Sequence, residues 1–306
     1  MHHAITLDAL RAIDYIDKKG SFTAAASALH RVPSALTYTV QKLESDLDIK
    51  LFDRSGHRAI LTPAGRLLLA EGRHLLQAAD RLEEAVKQVE AGWETRLRIA
   101  RDTILPLQPL LQTIQDFNAL NHQVDVHISE EVLGGTWEAL IANRCDISLG
   151  ASGELPKGLF EFCKLGQVEF VFAVAPDHPL TQYTDPITAE AISAYPTVVV
   201  ADSSLSAPGR NSGLLESRQM LRVTTMSAKL EAQMLGVGVG FLPRHLAHEA
   251  IAQDLLRALP CNVPRPDIPI YMAWRKDNKG KALAWFTHAL AQQNLLAADA
   301  TSHLFA

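Results

Sequence analysis

The sequence predicts an α/β protein in three parts: a winged helix-turn-helix over residues 1–62, one long helix over 63–92, and a two-lobed α/β domain over 93–306. Three observations predict it. Two short amphipathic stretches meet at a turn between Gly20 and Leu47. A breaker-poor run from Pro63 to Glu90 repeats an aliphatic residue every seven positions. From Arg96 onward, strand-like apolar runs alternate with helical ones.

Residues 6–18 place Leu7, Leu10, Ile13 and Ile16 on one helical face, and Gly20 ends that helix. Phe22, Ala25, Ala26 and Leu29 form the stripe of a second, with Ser21 as its N-cap. His30-Arg31-Val32 has the length of a helix-turn-helix linker, and Pro33 suits the first turn of a third helix. There Leu36, Val40, Leu43 and Leu47 face inward. Ser34, Tyr38, Gln41 and Ser45 face outward, flanked by Thr37 and Lys42, and Glu44 and Asp46 fall off the centre of that face. A carboxylate-free face of hydroxyl, amide and ammonium donors suits a DNA major groove, although a solvated helix of a small bundle has the same periodicity. Next, LFDRSGHRAILT reads as a hairpin wing. Its tip carries Arg54, His57 and Arg58 for phosphates or a narrow minor groove; the alternative is a solvated basic turn.

Thr62-Pro63 reads as the cap and first residue of a helix of about 28 residues, near 40 Å long. Leu68, Leu75, Leu82 and Val89 recur in heptads, flanked by Arg66, Arg73, Arg81, Glu83 and Lys87. Such a stripe calls for a partner, either the same helix of a second subunit or the C-terminal domain of its own chain.

The stretch GSFTAAASALHRVPSALTYTVQKLESDLDIKLFDRSGHRAILTPAGRLLL resembles the N-terminal domain of LysR-type transcriptional regulators. The resemblance lies in its Gly-Ser-Phe, Ala-Ala-x-x-Leu, Ser-Ala-Leu-Thr, Leu-Glu, Leu-Phe-x-Arg and Leu-Thr-x-Ala-Gly. It implies binding to double-stranded DNA, dimers through the linker helix, tetramers through the C-terminal domains, RNA polymerase as a further partner, and a periplasmic-binding-protein-like effector domain. One departure stands out: Pro33 lies where many members carry a DNA-contacting Gln.

In the C-terminal part RLRIAR, VDVHIS, CDISLG, EFVFAVA, TVVVA and PIYMAW read as strands of mostly parallel sheets. The return to a strand at PIYMAW predicts two crossings, with 96–165 and 267–306 in one lobe and 166–266 in the other. Ligands of such folds lie beyond the carboxyl ends of strands. Those positions hold Asp102, Thr103, Ser129, Glu131, Ser152, Asp202, Ser203 and Ser204, with Met226 at a helix start. Singly each hydroxyl reads as a helix cap; together they read as the lining of a cleft. Asp102 and Asp202 favour a ligand with N–H or O–H donors. The segments GTWEAL, APDHPL, LGVGVGFLP and MAWRKDNKGKA resemble the branch that holds the allantoin and purine-utilisation activators and regulators of aromatic compounds. That resemblance implies a nitrogen-rich heterocycle, a ureide or an aromatic effector.

The net charge of −5 does not advertise nucleic-acid binding, and residues 1–64 hold eight Lys and Arg against seven Asp and Glu. The basic residues nevertheless gather around the turn, third helix and wing. No phosphate loop, nucleophile elbow, dinucleotide glycine pattern or HExxH occurs, so the sequence points to no enzyme, cofactor or metal. A solute-binding protein, suggested by the C-terminal half alone, is disfavoured by the N-terminal domain and by the lack of a signal peptide at MHHAITLDAL. No run approaches about 18 apolar residues, so the expected compartment is the cytoplasm. Three scattered cysteines, Cys145, Cys163 and Cys261, agree with a reducing one. Cys145 and Cys163 sit in or beside strand-like runs, where burial is a simpler reading than a redox pair.

Overall fold

A computed structural model describes residues 3–53, 59–154, 158–205, 217 and 219–296. The chain divides into two compact units, 1–87 and 88–306. Among the described residues no helix is long and apolar enough to cross a membrane.

In the first unit α1 (Leu7–Lys19) starts at the Thr6 hydroxyl, which accepts the Ala9 N–H at 3.2 Å, and stops at Gly20 with φ 71°. A left-handed φ costs glycine nothing. α2 (Phe22–Ala28) is capped by Ser21, and α3 (Pro33–Leu47) opens on proline. Ile13, Ile16, Ala25, Ala26, Leu36 and Val40 are fully buried where the three helices meet. β1 (Phe52–Asp53) and β2 (Ile60–Leu61) pair antiparallel as the base of the wing. α4 (Pro63–Glu90) follows, with the Thr62 hydroxyl accepting the Gly65 N–H at 3.0 Å. A Cβ at residue 65 would lie 2.2 Å from the Leu51 carbonyl oxygen, so the close approach of α4 to the wing requires glycine. Arg73 fastens α4 to α1 through Asp14 at 2.8 Å and Asp17 at 3.0 Å.

The second unit runs β3 (Arg96–Asp102), α5 (Gln108–Asn118), β4 (Asp125–Glu131), α6 (Gly134–Ile141), β5 (Ile147–Ser152), β6 (Phe160–Val168), β7 (Phe170–Val174), α7 (Ala189–Ser193), β8 (Thr197–Val200), β9 (Met220–Val223), α8 (Met226–Met234), β10 (Gly240–Pro243), α9 (Arg244–Ala252), β11 (Arg257–Ala258), β12 (Ile268–Arg275) and α10 (Lys281–Ala291). One sheet has the order β4-β3-β5-β12-β6. Its core holds Leu97, Ile99, Phe117, Ile147, Met272 and Phe286. The other lobe holds β10-β7-β11 and the pair β8-β9, over Phe172, Val174, Leu180, Val239 and Phe241. The chain crosses between the lobes after Val168 and again before Ile268.

The sheets are mixed rather than mostly parallel. β3 runs parallel to β4 and β5, but β12 is antiparallel to β5 and β6, and β7 is antiparallel to β10 and β11. In the first sheet the reason lies in the second crossing: β12, returning from the other lobe, enters from the opposite end to β5 and β6. At the start of the unit the Trp93 N–H bonds the Gln88 carbonyl and the Gly92 N–H bonds that of Val89, which closes α4. Glu94 then caps α10, accepting from Ala282 N at 2.8 Å and Leu283 N at 3.0 Å.

Candidate functional site

On α3, Leu36, Val40 and Leu43 are buried, while Ser34, Tyr38, Gln41, Lys42 and Ser45 are exposed; Tyr38 is 66% exposed. Thr37 is half-buried and donates to the Pro33 carbonyl at 2.9 Å. The Arg31 guanidinium grips Asp8, with one N–O distance of 2.6 Å, and so holds the Asp8 carboxyl below its usual range. Arg54, His57 and Arg58, which the sequence assigned to the wing tip, lie outside the described residues.

Glu44 shows a role that its place on the helical wheel does not reveal. It is buried, and its Oε1 accepts the N–H groups of Leu51 at 2.7 Å and Phe52 at 3.2 Å. One carboxylate thereby ties the end of α3 to the first strand of the wing. The Leu-Glu pair was its only trace in the sequence.

Along α4, Leu69 and Leu76 are buried while Leu67, Leu75, Leu82, Val86 and Val89 stand exposed. Leu68, the first residue of the heptad stripe, packs instead against the core of the first unit. An α-helix of 3.6 residues per turn drifts about 20° per heptad, so from Val89 back to Leu68 the stripe turns by about 60° and brings Leu68 toward the side that buries Leu69 and Leu76.

In the second unit the strand-end residues converge, from both lobes, on the start of α6. Asp102 is 4% exposed; its two oxygens accept Ile104 N and Leu133 N, each at 2.9 Å. Burial raises its pKa to about 7, against the lowering effect of those N–H bonds, and the nearby Asp202 adds to the rise. The Thr103 hydroxyl accepts the Met226 N–H at 3.2 Å, joining β3 to the start of α8 in the other lobe. Glu131, also buried, accepts from Arg144 and from the Ser203 hydroxyl, both at 2.6 Å. The Ser203 oxygen accepts Val132 N at 2.9 Å. Asp202 accepts Gly134 N at 3.1 Å and Ser204 N at 2.9 Å. The Ser204 hydroxyl is buried without a hydrogen-bond partner among the described residues.

Gly134 and Gly135 make room for this contact. A Cβ at residue 135 would stand 1.8 Å from the Ser203 oxygen and 2.5 Å from that of Glu131. Leu133, just before them, takes φ 54° and turns its N–H toward Asp102. Ser152 is buried at the end of β5 and its carbonyl accepts the Trp137 indole N–H at 2.9 Å. Ser129 is placed differently: it is exposed on β4, an edge strand. His245 adds a bridge that no sequence signal announced, its Nε2 lying 2.8 Å from the Ile104 carbonyl of the opposite lobe. Burial lowers the pKa of that ring.

The arrangement is one of donors and acceptors, suited to recognition. Among the described residues no group of three or more His, Cys, Asp or Glu could hold a metal. Burial pushes the Cys145 thiol up to about 12, which suppresses thiolate chemistry there.

Comparison with known proteins fits both units. Residues 7–66 match the model of the bacterial regulatory helix-turn-helix protein, lysR family, and residues 90–294 match the LysR substrate binding domain. The chain is 40% identical over 288 residues to the HTH-type transcriptional regulator YhaJ of Escherichia coli O157:H7, covering 92% of this chain and 94% of that one. It is 37% identical over 292 residues to the HTH-type transcriptional regulator YeeY of Escherichia coli K12, covering 95% and 94%. The crystal structure of transcriptional regulator PA0477 from Pseudomonas aeruginosa shares the fold at a TM-score of 0.57 and 22% identity, over 94% of this chain and 97% of that one. The chain belongs to the LysR family, and it is a DNA-binding transcriptional regulator that carries an effector-binding domain.

Proposed function

We propose that this regulator is gated by a small molecule held between the two lobes of its second unit. The reading rests chiefly on one observation: side chains at strand ends of one lobe bond backbone and side-chain groups of the other, as Thr103 does with Met226 and Glu131 with Ser203. A ligand placed among Asp102, Thr103, Ser129, Glu131, Ser152, Asp202, Ser203, Ser204 and Met226 would exchange these contacts for its own and change the angle between the lobes. It acts only if it binds the two states unequally. Subunits then pair through Leu75, Leu82 and Val89 of α4, and through that homodimer the lobe angle sets the spacing of two reading heads on double-stranded DNA. Pairs of dimers through the effector domains, RNA polymerase as partner and action in the cytoplasm complete the reading, with no cofactor or membrane involved.

For the effector we propose a small nitrogen-rich heterocycle, ureide or aromatic compound. Support comes from the segments that resemble the allantoin and purine-utilisation branch and from the acidic pair Asp102 and Asp202. A thermal-shift screen over purine bases, ureides and aromatic acids tests it; a ligand at 100 times its Kd adds about 2.7 kcal/mol. With the hit in hand, Thr103→Val removes a hydroxyl at nearly constant volume. The ligand-dependent change in DNA footprint is expected to disappear in that variant. A footprint that still responds would move the effector away from these strand ends.

A further inference from the structure

The leading end of α3 is defined by what it lacks. In a helix-turn-helix the second helix, here α3, meets base edges with its N-terminal residues. From Val32 to Val40 the chain reads VPSALTYTV, with no Arg, Lys, Asn, Gln, His, Asp or Glu. The side chains that tell one base pair from another by paired hydrogen bonds are therefore missing from about the first two turns. Gln41, the first of them, is the ninth residue of the helix. The cation just ahead of the helix is engaged elsewhere, because the Arg31 guanidinium grips Asp8 on α1.

What that end presents is carbon. Val32, immediately before the helix, is 63% exposed and makes no side-chain cap. The Pro33 ring is exposed and brings no N–H. Thr37 lies one turn on from Pro33 and spends its hydroxyl on the Pro33 carbonyl at 2.9 Å. Thr39 does the same with the Ala35 carbonyl at 3.0 Å. A threonine hydroxyl turned back onto its own helix leaves the γ-methyl as the branch that can meet a partner. Ser34 supplies a hydroxyl, but a hydroxyl both donates and accepts and so suits any base.

In the major groove thymine is set apart by its C5 methyl group, which small apolar side chains recognise by contact. We propose that Val32, Pro33 and the γ-methyl of Thr37 form a thymine-methyl reader at the leading end of α3. The first base pairs of each half-site are then chosen by carbon contact, and Tyr38 and Gln41 read the pairs that follow by hydrogen bonds. This rests on the reading of α3 as the helix that enters the major groove, and adds the base and the atom that its leading end selects.

The test uses the full-length protein and a duplex carrying a site that the wild type selects from random-sequence DNA. Each thymine of the site is replaced singly by deoxyuridine, which removes the methyl and keeps every hydrogen-bonding group. The wild type is expected to lose about fourfold in affinity at one or more thymines of each half-site, the factor for one buried methyl. Thr37→Ser loses the methyl and keeps the hydroxyl, and is expected to bind the thymine and uracil duplexes alike at one of those positions. Thr37→Val keeps the methyl and loses the hydroxyl, and is expected to retain the fourfold preference there. Each value is a ratio for one protein on two duplexes, so a change in folding cancels. A wild type indifferent to uracil at every thymine would overturn the reader, as would a Thr37→Ser protein with the full wild-type preference throughout. The placement of α3 is measured apart, by Tyr38→Ala on the thymine duplex. If uracil changes nothing and Tyr38→Ala still weakens binding, the methyl reader alone falls; if neither matters, the placement of α3 in the groove falls with it.

Discussion

The outward face of α3, proposed to read DNA, and the inter-lobe cleft, proposed to hold the effector, are both built from hydroxyls, amides and charges, but their groups are spent differently. On α3, Tyr38, Gln41 and Lys42 project into solvent, while the carboxylate that could have opposed them, Glu44, is turned inward onto the wing. In the cleft, Asp102, Glu131, Asp202 and Ser203 all have partners within the chain. A face that meets a large polyanion can hold its donors ready in water. On the proposed reading, the cleft holds its polar groups in a substitute arrangement that a small-molecule ligand would have to replace. The free energy of that replacement sets the threshold of the response.

The comparison can be broken most forcefully at α4. Leu75→Glu with Leu82→Glu is expected to yield monomers by light scattering and to abolish high-affinity binding to a two-half-site operator; an intact dimer would assign the stripe to packing within the chain. Next in size is the loss of Tyr38 and Gln41 to alanine, each expected to weaken specific DNA binding by roughly 1–3 kcal/mol with little effect on non-specific binding. A titration in which specific binding survives both changes would show that the reading face lies elsewhere. Glu44→Gln keeps the shape and removes the charge, and is expected to lower stability by about 1 kcal/mol through weaker bonds to Leu51 and Phe52.

The smallest effect sharpens the cleft side. Because Asp102 titrates near 7 in the folded protein and its ordinary value is 3.8, the folded state keeps a proton that the unfolded chain releases between those values. Its contribution to stability is therefore largest at low pH and declines as pH rises from about 4 to 7. Asp102→Asn should flatten that slope in denaturant titrations. An unchanged slope would mean that the carboxylate is charged and satisfied throughout.

Local signals carried well from sequence to structure. Gly20, Ser21, Pro33 and Thr62 end or begin helices where their chemistry says they should. The polar strand ends were legible too, because hydroxyls and acids recurred there, although Ser129 lies apart from the inter-lobe contacts. Partnerships across long sequence distances were not legible. Glu44 looked like an off-centre surface acid, since its partners come seven and eight residues later, on another element. Lys229, inside SAKLEAQ, carries no mark of burial in the sequence, and the packing of α8 on β10 buries it. His245 meets Ile104 across 141 residues of chain, with no pattern to announce it.

The position of β12 has a consequence for the order in which the protein is made. In its sheet β12 lies between β5 and β6, and β6 has no other neighbour among the described residues. On the ribosome β6 emerges long before β12, and the intervening stretch 169–275 takes on the order of 5–20 s to synthesise. During that interval the whole of β7 to β11 is available to fold as its own lobe, while β5 and β6 wait with open edges. Unpaired edges recruit other strands. The nascent chain therefore passes through a period in which its second lobe is finished and its first is adhesive, and the arrival of the last strand and α10 ends it.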